Sequence, residues 1–555
     1  MLRFRQLLPL LIGSTLFAQP YISYRAIVNA ASSMPGGLPG GSIAQGSIFS
    51  LYGTGLGPAA NATQVSFPLQ TTLADVSIQV QQGATSVNAV PLFVSASQIN
   101  AIMPSAAPLG KVQLRVSYKG AKSNPGWVNV VPASFGIFTV SGMGFGPGAV
   151  LHSVSAKQMS VNSLLDSASP GQTVIFYGTG LGPVSSDITA PAAGNLSTKV
   201  EVFVGGVAAQ TSYSGRSPCC SGLDQIDFQI PASAPLGCYV PIQVRTNGTV
   251  VSNAVTIAIQ NGGGACSDNV NPALSAFMNG KNIGIVALSR SLDEWQGAGS
   301  GSDIATDLGL AFFFQASASQ WFFNPLFSSP APGTCMVYTG AGDFVRVGGL
   351  PGSGPLNELT AGSPLSVTGA TGSGAVATVD GAGVFGAPLG TTGFDGVLGS
   401  YPTGITAGIL APGPVSVSGP AGSAVGKFSS NSNASAPLTW TNRDQISTID
   451  RSQPLTLTWS GGSPSSDQAF IGAWSSDLPS NSSAGFVCTV PSGEQSFTIP
   501  AYVLSNLPAS RSQRTAGILS IGLSPGNGSA TFSASGLDAG YLVFASATRK
   551  TVMFQ

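Results

Sequence analysis

Charge is scarce in this chain of 555 residues: Asp, Glu, Lys and Arg together make up 8%, against roughly a quarter in ordinary soluble domains. The 21 cations and 21 anions cancel. With no long-range field and no Lys/Arg cluster to displace counterions, nucleic acid is not an expected partner. Histidine occurs once, at His152, and no G-x-S-x-G elbow is present for it to activate, so a Ser-His-Asp mechanism has no footing. No stretch reaches 18 consecutive apolar residues, so a helical span in the body of the chain is not expected. Pro inside several strand-like runs argues against a membrane barrel. No D-x-D-x-D-G calcium loop occurs.

What is abundant is punctuation. There are 73 Gly and 39 Pro in a chain that is 43% hydrophobic, a mixture that favours short strands joined by many turns. The length predicts three or four domains, and Ser, Thr and Asn take the place of charge at the surface.

Arg3 and Arg5 precede an apolar run from Leu7 to Phe17, and Ala18 offers a small residue before Gln19 and Pro20. This is the pattern of a signal peptide over 1–18. A membrane anchor is disfavoured, because a run broken by Pro9 and Gly13 falls short of the roughly 20 residues a bilayer needs. The expectation is an exported protein, extracellular or at the cell surface, with no transmembrane helix in the mature chain.

The six cysteines are Cys219, Cys220, Cys238, Cys266, Cys335 and Cys488. In an exported chain they are disulfide candidates, with about 15 pairings open. Clustering of the first four points to bridges local to one region, leaving Cys335 and Cys488 as a longer link. Zinc needs paired spacings such as C-x2-C, and a redox thiol needs C-x-x-C or an electropositive setting; neither is present.

An internal repeat organises the first half. Tyr52-Gly-Thr-Gly-Leu-Gly-Pro58 returns as Tyr177-Gly-Thr-Gly-Leu-Gly-Pro183, an offset of 177 − 52 = 125. Val76–Val80 is answered by Val200–Val204, Gln98-Ile-Asn by Gln225-Ile-Asp, and Ala107-Pro-Leu-Gly110 by Ala234-Pro-Leu-Gly237. Val112, Leu114, Val116 and Tyr118 alternate with polar residues, as do Val240, Ile242 and Val244, so each set lies on one face of a strand. Asn247-Gly248 predicts a tight type I′ hairpin turn. A repeat of this size made of short strands fits a β-sandwich.

The Tyr-Gly-Thr-Gly-Leu-Gly-Pro turn, the alternating strand, Gln-Ile-Asn/Asp and Ala-Pro-Leu-Gly, in that order, resemble the repeat domain of secreted acidobacterial (Solibacter-type) proteins, related to the IPT/TIG immunoglobulin-like fold. The resemblance covers residues 24–260 and implies fold and location; it carries no catalytic or binding residues. The first copy lacks the cysteines of the second.

The fold class read here is all-β: tandem immunoglobulin-like sandwiches at 24–141 and 142–261, then a β-rich domain at 267–434 with a short helix near Ser302 to Leu308, then a further sandwich at 435–555. Eight short runs between Pro437 and Ala547 at near-regular spacing support the last.

Motifs that could carry chemistry fall away on spacing. Gly53-Thr-Gly55-Leu-Gly57 is G-x-G-x-G followed by Pro58, a set of turn glycines and not a dinucleotide loop. Residues 421–428 miss the phosphate loop at its first Gly and after Lys427. His152 reads as a solvated linker residue. Trp127, Trp295, Trp321, Trp440, Trp459 and Trp474 read mainly as core, with stacking on sugar rings the alternative where exposed. Phe312–Phe314 and Trp321–Phe323 also read as core.

No catalytic, cofactor-binding or metal-binding residue is assigned, and no cofactor is expected. The expectation is a non-catalytic modular surface protein with a structural or adhesive role, its partner a polysaccharide or a surface protein. The alternative is a secreted carbohydrate-active enzyme with an acid pair in 267–434; the candidate carboxylates of the chain are Asp293, Glu294, Glu358 and, beyond that region, Glu494.

Overall fold

Two-residue alternation builds this chain almost throughout, because a strand that covers a core on one side must send every second side chain inward. The computed structural model describes residues 19–153, 159–268, 271, 273–294, 303–325, 327–341, 357–379, 383–392, 407–463, 467–491, 493–512, 516–525 and 529–555. Residues 1–18, expected to be a signal peptide, and Trp295 lie outside them.

The first repeat is a sandwich. One sheet pairs Tyr21–Asn29, Ile48–Thr54, Gln98–Ile102 and the second half of Thr85–Val94. The other pairs the first half of Thr85–Val94 with Val76–Gln82, Gly110–Tyr118 and Gly126–Val131. The shared strand changes sheet between Ala89 and Val90, and a register shift between Pro91 and Phe93 follows within the new pairing, where proline has no amide to continue the ladder. Val76, Ile78, Val80, Val112, Leu114 and Val116 are buried between the sheets.

The second repeat repeats this plan. Val150–His152, Thr173–Thr179, Asp224–Gln229 and the latter part of Val207–Arg216 make one sheet, while Val200–Val204, Gly237–Thr246 and Val255–Ile259 make the other. Asn247 and Gly248 both take positive φ, 51° and 75°, in the turn after Gly237–Thr246, as a type I′ turn requires.

The C-terminal half corrects the expected division at 434/435. Strand Ala539–Phe554 runs parallel to Asn282–Glu294, with Ile283 opposite Ala539 and Asp293 opposite Arg549. Thr334–Ala341 pairs with Ser482–Thr489. Residues on both sides of the expected boundary thus share one sheet of 11 strands among the described residues. All eight short runs predicted after 436 fall on strands, but strand pairing, which sequence order does not reveal, joins them to earlier ones. One half of this sheet is covered by the strands Leu365–Gly369, Gly372–Val376, Gly413–Gly419 and Phe428–Ala434, the other by Thr439–Trp440, Leu455–Ser460 and Ser496–Ile499.

The helix expected near Ser302 to Leu308 is also corrected. Residues Asp303–Gln315 are a strand in unbroken register with Asn282–Glu294, since Ala305, Asp307, Gly309, Ala311 and Phe313 recur inward with period two. A single helical turn instead occupies Leu274–Met278. No helix among the described residues is long and apolar enough to cross a membrane.

The three bodies touch one another. Tyr239 packs on Phe323 with ring centroids 5.7 Å apart, Phe145 on Tyr338 at 6.3 Å, and Phe203 stacks on Tyr502 at 4.7 Å, joining the second repeat to the C-terminal body. Met34 and Leu38 of the first repeat cluster with Ala484. Phe313 and Phe314 are core, and Phe322 and Phe323 pack against buried clusters.

Candidate binding face and the junction between repeats

The candidate carboxylates do not assemble. Asp293 is held by Arg549, whose Nε and Nη2 donate to it at 2.6 and 2.7 Å. Its neighbour Glu294 points to the other face of the same strand. Glu358 accepts from the Gly383 amide at 3.3 Å and lies opposite Phe314, which pairs with Ile283. Ile283 is 294 − 283 = 11 positions from Glu294 along the strand, about 35 Å at the rise of extended chain. Glycosidase acids sit about 5–10 Å apart, so Glu294 and Glu358 cannot work as a pair. Glu494 lies in a separate shallow cleft with Trp459 and Gly461.

The tryptophans divide. Trp440 and Trp459 are buried, Trp474 packs on Tyr338, and Trp321 Nε1 donates to the Asn162 carbonyl at 3.0 Å. Among the described tryptophans Trp127 is the exception, 54% exposed. His152 corrects the linker expectation: it is buried on a strand, its Nε2 3.2 Å from Asn162 Nδ2 and its Nδ1 3.0 Å from Gln172 Nε2. The cysteines form Cys219–Cys220, Cys238–Cys266 and Cys335–Cys488, the last between directly paired strands.

Trp127 belongs to an ordered polar face. It lies opposite Gln113, which pairs with Gln81, which pairs with Ser86. In the adjoining rows Asn129 faces Lys111, and Arg115 faces Gln79 and then Asn88. Inward partners Val112, Leu114 and Val116 fix these side chains outward. Lys111 Nζ lies 4.9 Å from the centre of the indole ring, a cation–π contact.

The same face of the second repeat has a different fate. Matching the pairings of Val76 with Tyr118 and of Val200 with Thr246 sets Tyr239, Pro241 and Gln243 where the first repeat has Lys111, Gln113 and Arg115, and Thr256 where it has Trp127. Those four are buried. Tyr239 is covered by Phe323, and burial drives its hydroxyl well above the usual phenol range.

A buried ion pair marks the junction between repeats. Arg216 Nη1 bonds Asp224, and Nη2 donates to Gly182 O at 2.9 Å and, across the junction, to Gly46 O at 2.8 Å. Asp224 accepts the amides of Gly180 and Leu181 at 2.7 and 2.8 Å, fixing the repeated glycine turn. Desolvation raises the Asp224 carboxyl to about 6 in spite of Arg216. Asn29 and Thr179 bond across the same junction, as do Ser105 and Asp187.

Each sandwich is also latched by a Ser-Asn pair that motif reading missed, although the dipeptide recurs at an offset of 252 − 123 = 129. Asn124 accepts from Ile22 N at 2.7 Å and donates to Ile22 O at 2.9 Å, while Ser123 takes the Val116 amide. Asn253 does the same with Ile137 at 2.8 and 2.9 Å and also donates to Gly144 O at 2.8 Å, while Ser252 takes the Val244 amide.

No family model and no curated protein matches the chain. Among solved structures it is similar to the extracellular region of plexin A4, domains 1 to 8, at 13% identity and a TM-score of 0.16, covering 42% of this chain and 18% of that one. Native alpha-2-macroglobulin of E. coli aligns at 11% identity and a TM-score of 0.13, covering 93% of this chain and 28% of that one. SGBP-B from a complex xyloglucan utilization locus in Bacteroides uniformis aligns at 10% identity and a TM-score of 0.15, covering 88% of each. The chain thus spans less than a third of the plexin and macroglobulin chains.

Proposed function

We propose that this is an exported, non-catalytic surface protein in which three β bodies form a fixed frame that presents a binding face to polysaccharide or to another surface molecule. The observation that carries this is the contrast between the repeats: one outer sheet face is used up in holding the frame together, and its twin is left open and polar. Three disulfides support an oxidising compartment. The Arg-then-apolar pattern of 1–18 supports export. The enzyme alternative loses its Glu294–Glu358 pair to distance, and Asp293 is spent on Arg549.

The test is retention. Purified full chain is incubated with insoluble polysaccharides and with whole cells, and the same chain is assayed on mixed glycans. Retention on at least one surface without release of reducing ends is expected. Glycan hydrolysis that is lost in a Glu294→Gln or Glu358→Gln variant overturns the proposal.

A further inference from the structure

The open face of the first repeat carries its own chemical instructions. Between residues 19 and 135 the cations are Arg25, Lys111, Arg115, Lys119 and Lys122, and the acids reduce to Asp75. In a chain whose total charge cancels, this one body is markedly positive. Two of its cations, Lys111 and Arg115, stand on the open face, and none of the face positions on the strands Val76–Gln82, Gly110–Tyr118 and Gly126–Val131 is a carboxylate.

Size follows from the ladder. Lys111 and Arg115 are four positions apart on one strand, about 13 Å at the rise of extended chain. The row from Trp127 to Ser86 crosses four strands, about 14 Å at the usual strand spacing. A single small molecule does not reach both cations; a chain of sugars does. The Gln79, Gln81, Gln113, Asn88 and Asn129 amides each hold donors and acceptors, which suits hydroxyl groups. One exposed indole gives a flat apolar platform for the C–H face of a ring. A protein partner of ordinary kind would call for a larger apolar centre, as the aromatic seam on the second repeat has.

We propose that this face binds a carboxylate-bearing polysaccharide, with Trp127 stacked on a sugar ring and Lys111 and Arg115 paired with its acid groups. This rests on the surface-binding function above and names its ligand class. The ion pairs are exposed, so salt screens them.

The experiment measures binding of the full chain to polygalacturonate, with dextran and duplex DNA as comparisons, at low and high NaCl. Saturable binding to polygalacturonate that weakens with salt is expected. The Lys111→Gln/Arg115→Gln double variant and Trp127→Ala should each weaken it about tenfold or more, while Trp127→Phe and Lys111→Arg keep most of it. Trp127 and Lys111 are exposed, and Arg115 gives up only bonds at the sheet surface, Nη1 to Ser123 O at 3.1 Å and Nε to Gln113, so the urea midpoint should match the parent in the Trp127 and Lys111 variants and fall only slightly in the double variant, which separates lost binding from lost folding. Equal binding to dextran overturns the acidic ligand class. Equal binding to DNA overturns recognition of a sugar, and binding untouched by the variants overturns the face. No binding to polygalacturonate while the chain is retained on cells or on another polysaccharide overturns this inference and leaves the proposed function standing; no retention anywhere removes both.

Discussion

The two repeats share strand order, glycine turn and Ser-Asn latch, and they part company at what surrounds those features. In the first, the glycine turn is held by main chain: Gly53 and Leu56 donate to the carbonyls of Ser97 and Ala96 at 3.0 Å each. In the second, the Asp224 carboxylate does that work and drags in Arg216 to balance it. The outer faces differ likewise, Lys111 and Trp127 against Tyr239 and Thr256. The inward half of each strand specifies the sandwich, and the outward half is free to decide whether a copy is packed away or left open.

The largest way to break this comparison is Arg216→Ala. It strands the buried Asp224 carboxylate and cuts the bond to Gly46 of the first repeat. Removing one partner of a buried pair costs about 3–5 kcal/mol, so the urea midpoint should fall steeply. Ser97→Ala, at the matching place in the first repeat, should move stability by no more than about 0.5 kcal/mol. Equal effects would mean that the two turns are held alike.

Acidity sharpens the same contrast. Burial raises the Asp224 carboxyl to about 6 from its ordinary value of 3.8, so the folded chain grips that proton more tightly than the unfolded chain. Its contribution to stability is therefore complete below about pH 4, and it is lost as pH climbs through 6. The change is on the order of 2–3 kcal/mol. Asp224→Asn removes this fall, which unfolding midpoints measured from pH 4 to 7 would register; Ser97 offers nothing to titrate.

Much of this was legible beforehand, for reasons that are local. Alternation around Val112 and Val240, the positive-φ turn at Asn247-Gly248 and the offset of the glycine turns are all properties of a few adjacent residues. The pairing of Asn282–Glu294 with Ala539–Phe554 is a contact between segments more than 240 positions apart, and no local period encodes it. The strand at Asp303–Gln315 was hidden for a related reason: its inward row includes Asp307, whose Oδ2 accepts the Leu410 amide at 2.7 Å from a distant segment and pairs with Arg290 Nη1 at 3.3 Å. His152 read as solvent-facing because its partners Asn162 and Gln172 come from beyond the strand. Of the candidate face, the sequence marked Trp127 as a conditional sugar contact; the row of amides beside it emerged only once Gly110–Tyr118 and Val76–Gln82 were in register.

The smallest effect lies in the latches. Asn253 makes three bonds in full burial, two to Ile137 and one to Gly144 O, whereas Asn124 makes two in a half-buried site. A buried polar group left without a partner costs about 1–3 kcal/mol. Truncating Asn253 strands the amide and carbonyl of Ile137 and the carbonyl of Gly144 together, with no solvent to take them. Truncating Asn124 strands the main chain of Ile22 near the surface end of its strand, where water relieves part of the loss. Asn253→Ala should accordingly cost about 1 kcal/mol more than Asn124→Ala, read as the difference of two urea midpoints against one parent. A reversed order would mean that the latch in the first repeat carries strain or contacts beyond its two hydrogen bonds, and the two sandwiches would then differ in their cores as well as on their faces.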